Sequence, residues 1–140
     1  MNLIFKNARL VCPEGGEYAG ELYVANHEIA AKAPEGAQVV DCGGRLLAPA
    51  LIDLGAFAMD KAACRAGGIA RIGLMPDQSP VLDGPGIVQR AADMGKPELW
   101  VHPIAAATRG LEGTDLAEFA INAEAGARAA STGRRWIAAW

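Results

Sequence analysis

The sequence predicts an α/β protein in two parts: a module of short strands over residues 1–48, then strand–helix units on a parallel sheet over residues 49–140. Three observations lead there. Up to about residue 45, short apolar runs alternate with Gly, Pro and Asn, which is strand-and-turn punctuation. After Leu46 the rhythm lengthens and strand candidates alternate with helix candidates, the pattern of βα units. The chain's 140 residues, 51% apolar and 21% charged, suit one modest globular domain and not a disordered segment.

In the first part, Leu3 to Phe5 and Arg9 to Cys12 read as strands, with a turn at Glu14-Gly15-Gly16-Glu17. Glu21 to Ala25 and Glu28 to Lys32 read as a hairpin around Asn26-His27, because Asn tolerates the positive φ of a tight turn. Pro34-Glu35-Gly36 turns the chain again. Gln38 to Asp41 is the next strand and Cys42-Gly43-Gly44 the next turn. Such strands need a sheet to bury one face.

In the second part, Leu46-Leu-Ala-Pro-Ala-Leu-Ile-Asp53 is an apolar run with a Pro-Ala bend, read as a strand entering the parallel sheet. Cys64 falls in a short helix ended by Gly67-Gly68, and Ile69 to Met75 is a strand stopped by Pro76. Gly86 to Met94 is a helix closed by Gly95 and Pro97. Leu99 to Ile104 is a strand whose Pro103 predicts an edge or an end. The strongest helix signal spans residues 114–125: Thr114 as N-cap, Asp115 at the positive end of the dipole, Gly126 beyond the end. Leu116, Phe119, Ala120 and Ala123 fall on one face of it. Ala127 to Ser131 is the last strand.

Composition excludes several function classes. A net charge of −3 is no footprint for nucleic acid or an anionic membrane. No apolar run is long enough for a membrane helix, and no signal peptide is visible at the N-terminus. The three cysteines, Cys12, Cys42 and Cys64, are far apart and predict reduced thiols in a cytoplasmic protein. Cys64 has no nearby base and reads as a packed residue, not a nucleophile. Of the two histidines, His27 lies in a turn and His102 in a strand, with no second ligand at usable spacing; both read as structural.

Four motifs carry a family likeness. Pro49-Ala-Leu-Ile-Asp53 resembles the first barrel strand of the metal-dependent amidohydrolases, Pro-Gly-hydrophobic-Ile-Asp-x-His-x-His. Gly67-Gly68-Ile69 through Met75-Pro76-Asp77-Gln78-Ser79-Pro80 to Asp83 resembles the dihydroorotase pattern Gly-Gly-Phe-Thr through Met-Pro-Asn-Thr-x-Pro to Asp. Thr108-Arg-Gly-Leu-Glu-Gly-Thr-Asp-Leu116 resembles its Thr-Lys-Gly-x-x-Gly-x-x-Leu. Glu124-Ala-Gly-Ala-Arg-Ala-Ala-Ser-Thr-Gly133 resembles its Glu-Ala-Gly-Ala-x-x-Phe-Ser-Asp-Asp-Gly. The order and spacing of these matches resemble dihydroorotase over nearly the whole chain. That likeness implies a small β-sheet module followed by the first half, about four βα units, of a (β/α)8 barrel, since a complete one takes roughly 250 residues.

The resemblance also implies where chemistry should sit. The family's two zinc histidines map to Gly55 and Phe57, neither of which can ligate a metal. The arginine loop that meets the substrate carboxylate is missing from the short connection between Phe57 and Gly67, and Asp60-Lys61 do not replace it. The substrate-contacting Asn maps to Asp77, whose carboxylate would repel an anion. The acidic pair before Gly133 is reduced to Ser131-Thr132, while Asp53 keeps its family position in a structural role. No catalytic residue and no metal or other cofactor is therefore expected, although the family uses zinc.

The reading that follows is a catalytically inactive dihydroorotase-like protein of pyrimidine biosynthesis. The resemblance implies aspartate carbamoyltransferase as its structural partner. Half a barrel leaves an unpaired edge and an uncovered inner face, so an oligomer or a partner-dependent chain is expected. Two alternatives stand beside it. One is a zinc hydrolase of cyclic amides, active only when another chain supplies the missing strands. The other is a truncated gene product without function, suggested by the ending Arg134 to Trp140, which reads as the outcome of a frame change or early stop.

Overall fold

A computed structural model describes residues 1–138; the end of the Arg134 to Trp140 stretch, residues 139 and 140, lies outside it. The chain divides into two compact units, Met1–Pro49 and Ala50–Trp140, the second described up to residue 138.

The first unit is a five-stranded sheet. Strands β1 (Leu3–Cys12), β2 (Gly16–Ala25), β3 (Glu28–Ala30) and β4 (Gln38–Asp41) lie in the order β3-β2-β1-β4, and β5 (Leu46–Leu47) also pairs with β1. The two strands expected between Leu3 and Cys12 are one, bent by a bulge between Phe5 and Ala8 where Asn7 takes φ 53°. β2 is correspondingly longer than its alternation alone predicts, because the register with β1 runs back to Cys12↔Gly16. The hairpin turn has φ 52° at Asn26 and 70° at His27, so the histidine shares the left-handed backbone. Ala8 and Leu10 are the buried apolar residues of this unit.

The second unit is a curled sheet of four parallel strands, half the number in a (β/α)8 barrel. Strands β6 (Leu51–Ala56), β7 (Ile69–Leu74), β8 (Trp100–Ala106) and β9 (Ala129–Ser131) lie in chain order. Helix α1 (Lys61–Ala66) starts where the Asp60 carboxylate accepts from Ala63 N at 2.9 Å and stops where Gly67 N donates to Ala63 O. Helix α2 (Pro85–Met94) has Pro85 in its first turn, where the missing N–H costs nothing. Its Val88 and Ala91 pack with Ile72, Leu74, Leu82, Leu99, Val101 and Ala105 to form the core, and Cys64 is half-buried against it.

Two expectations are corrected. Pro103 sits inside β8, a middle strand with β7 on one side and β9 on the other. Its carbonyl accepts from Arg128 N at 2.9 Å, so its missing N–H faces β9 as well. β9 pairs with β8 only from Ile104 onward, so no ladder bond is lost there. The helix expected over residues 114–125 is only Phe119–Glu124 (α3), and Thr114 does not cap it. The residues before it are held extended: Arg109 N donates to Asp115 O at 2.9 Å, Ala117 N to Ala107 O at 3.0 Å, and Leu116 bridges Thr108. These long-range backbone bonds override the local capping signal. The expected apolar face changes too, since Ala117 and Asn122 are buried while Leu116 and Phe119 are exposed.

The outer strands remain open. On β6, Leu51, Ile52 and Leu54 are 62%, 56% and 79% exposed, so this edge carries an apolar surface that no other element of the second unit covers among the described residues.

Candidate functional site

In a parallel βα sheet, ligands and chemistry gather at the C-terminal ends of the strands, where the connecting loops meet. Here those ends carry Phe57 after β6, Asp77 and Gln78 after β7, Thr108 to Gly110 after β8, and Thr132 to Arg134 after β9. The C-terminal end of the sheet therefore carries Phe57, Asp77 and Thr132 in its loops, while Gly55 lies within β6.

Phe57 is held from two directions. Gln78 Nε2 donates to its carbonyl at 3.1 Å and to Met75 O at 3.0 Å. The guanidinium of Arg134 lies 4.9 Å from the centre of its ring, a cation–π contact. The same guanidinium donates through Nε to Asp77 Oδ1 at 3.3 Å. Gly133 packs on the other oxygen, Oδ2, which has no hydrogen-bond partner. Ser131 Oγ accepts from Gly133 N at 3.1 Å, which holds the turn after β9. Phe57 and Asp77 are thus joined through Arg134, while Ser131 and Thr132 belong to the turn that carries Gly133 and Arg134. Gly55 stands apart: its N–H donates to Asp53 Oδ1 at 2.9 Å and nothing faces the place of a side chain. Asp53 holds the backbone at the strand end.

Gly133 is a position where glycine matters. Its φ is 63°, and a Cβ would fall 2.9 Å from Asp77 Oδ2. Gly133→Ala is expected to lower stability by about 1–2 kcal/mol in urea unfolding. Full tolerance of the substitution would show that the loop does not rest on Asp77.

The other motif residues hold loops. Asp83 Oδ2 accepts from Gly110 N at 2.8 Å, and Thr108 Oγ1 accepts from Gly113 N at 3.0 Å. Asn122, fully buried, donates to Asp83 O at 3.2 Å. The spacing of Pro80 to Asp83 and Thr108 to Gly110 is therefore the spacing of two loops bonded to each other.

The site does not fit zinc. Gly55 offers no side chain, Phe57 offers a ring already covered by Arg134, and among the described residues no three of His, Cys, Asp and Glu come together. His27 lies in the first unit's hairpin and His102 in mid-β8, on the sheet face opposite the core. Sequence reasoning missed Arg134, taking it only as part of an odd ending. Its role depends on a contact with a residue 57 positions away, which no local spacing reveals.

Comparisons with known proteins place this arrangement. No family model matches the chain. A protein named dihydroorotase from Geobacter sp. (strain M21) is 31% identical over 146 residues, covering 90% of this chain and 34% of its own length. One of the same name from Pelotomaculum thermopropionicum is 32% identical over 150 residues, covering 94% of this chain and 35% of its own. The chain thus spans about a third of the length of the curated relatives it matches. Among solved structures, the L-hydantoinase (dihydropyrimidinase) of Arthrobacter aurescens superposes with a TM-score of 0.71 at 21% identity, over 92% of this chain and 32% of that one. This second likeness speaks to the fold alone.

Proposed function

The chain is a homologue of the dihydroorotases, within the amidohydrolase superfamily and over about a third of their length, and from that premise we propose that it is a catalytically silent relative whose remaining role is structural. The observation that carries this reading is the Phe57–Arg134–Asp77 cluster, which sets an aromatic ring and an ion pair where the resemblance puts the metal site. Hydrolysis of a cyclic amide in this family needs a metal-activated water and a carboxylate to move its proton. Neither Gly55 nor Phe57 can supply the first requirement.

The role we assign is support of aspartate carbamoyltransferase in pyrimidine biosynthesis, in the cytoplasm, where three unbridged thiols are stable. The open β6 edge, with Leu51, Ile52 and Leu54 exposed, favours a chain that works in an assembly. Sedimentation of the purified chain is expected to show an oligomer, or a joint species once aspartate carbamoyltransferase is added. Two independently sedimenting proteins, one of them a monodisperse monomer that melts cooperatively, would overturn the role. A second reading is a hydrolase completed by another chain, supported by the two open sheet edges. It still lacks a metal ligand on β6, which is why the structural reading is preferred.

A further inference from the structure

One cavity of the second unit lies on the side of β7 that α2 covers, and none of Phe57, Asp77 and Arg134 lines it. It opens between the chain after β6, the loop after β7 and α2, and holds about 150 Å³. Leu74, Leu82 and Ala91, all buried in the core, form its floor. Met59 and Ile87, packed against that core, and the half-exposed Met94 form its walls. The loop on its third side is braced. Gln78 Nε2 donates to Phe57 O and Met75 O, while Gln78 N and Leu82 N both donate to Pro76 O, at 2.7 and 3.2 Å. Protein interiors are close-packed, so a void of this size between fixed walls is space for an occupant.

The mouth has a different chemistry. Arg90, exposed on α2 just before Ala91, lines it together with the exposed Ser79. Among the described residues Arg90 forms no ion pair, although six other cations do. The acid nearest to it along the chain, Asp93, bonds Lys96 at 2.9 Å. The cavity therefore joins an apolar interior to a guanidinium whose charge is not met within the chain.

We propose that this cavity binds a small aromatic carboxylate, with its ring between Met59 and Met94 and its carboxylate on Arg90. An apolar cavity of roughly this size takes up a benzene ring. Two thioethers in the wall favour an aromatic occupant, because sulfur packs well against ring edges. The guanidinium at the mouth presents paired N–H donors that match a carboxylate. The site does not depend on whether the chain is catalytically silent.

The test labels the methionine methyls of the full chain with carbon-13 and follows them by NMR as phenylacetate is added. Phenylacetamide, a similar shape without the charge, and hexanoate, the charge without a ring, are titrated alongside. Phenylacetate is expected to move the Met59 and Met94 methyls saturably, while Met1 in the first unit stays in place. Phenylacetamide and hexanoate should each bind about tenfold more weakly. Arg90→Gln, on an exposed side chain, should keep the circular dichroism of the parent. It should weaken phenylacetate about tenfold and leave phenylacetamide unchanged. No saturable movement of the two methyls, equal affinity for phenylacetate and either control, or phenylacetate binding unaltered in Arg90→Gln would overturn the site.

Discussion

Supplied with excess zinc and either carbamoyl-aspartate or dihydroorotate, the purified chain is expected to turn over neither substrate above the uncatalysed rate. It should also retain no stoichiometric zinc after gel filtration. The expected loss is the whole of a typical enzymatic acceleration, on the order of a millionfold or more. A catalytic zinc site takes three protein ligands and leaves one position for water. The resemblance places two of them at Gly55 in β6 and Phe57 just after it, and no trio of ligating side chains assembles elsewhere among the described residues. Phe57 is also engaged, its ring under Arg134 and its carbonyl bound by Gln78. Restoring imidazoles with Gly55→His and Phe57→His gives two ligands where three are needed. That variant is expected to bind zinc weakly and to stay inactive. Tight stoichiometric zinc on the unaltered chain, or measurable turnover by it, would end the silent-relative reading.

How far the sequence carries the structure depends on the range of the forces involved. Gln38 to Asp41 forms the strand its β-branched pair suggests, and Asn26 takes the positive φ its side chain tolerates. The α/β class and the half-barrel order of strands also agree with the sequence pattern. The strand, the turn and the α/β class rest on local propensity and periodicity, whereas the half-barrel is what the family resemblance implied. The failures share a different origin. Thr114 looks like a helix cap, yet Ala117 is drawn onto the end of β8 by a backbone bond to Ala107. Pro103 looks like a strand terminator, yet its one missing donor falls where β9 has not begun to pair. Asn122 is buried because Asp83 O awaits its amide, a demand invisible to a hydrophobicity pattern. In the site, the substitutions at Gly55 and Phe57 can be read by resemblance, but the closure by Arg134 cannot.

Gly95 should be the least replaceable glycine of the second unit, and for a reason unlike Gly133. Its backbone is ordinary right-handed, φ −80° and ψ −26°, so an alanine would meet no conformational penalty. The obstacle is space. A Cβ at Gly95 would collide with Leu99 O and lie 2.7 Å from Val101 Cγ2, because the chain leaving α2 turns straight back into β8. Leu99 N also donates to Gly95 O at 2.9 Å, so the two backbones are locked together at the point of contact. A carbonyl oxygen cannot rotate away as a flexible side chain can. Relief requires α2 and β8 to separate, which disturbs Val88, Leu99 and Val101 in the core. Gly95→Ala is therefore expected to cost about 3 kcal/mol, the upper end for overpacking. Gly86 provides the internal control, since it lies inside α2, which Gly95 caps, with nothing facing its place for a Cβ. Gly86→Ala should be neutral or stabilising by up to about 1 kcal/mol, through helix propensity and a less free unfolded chain. Urea unfolding of the two variants should thus move the midpoint in opposite directions, or leave it unmoved for Gly86→Ala alone. Equal effects at the two positions would mean that Gly95 does not pack directly on the Leu99 backbone.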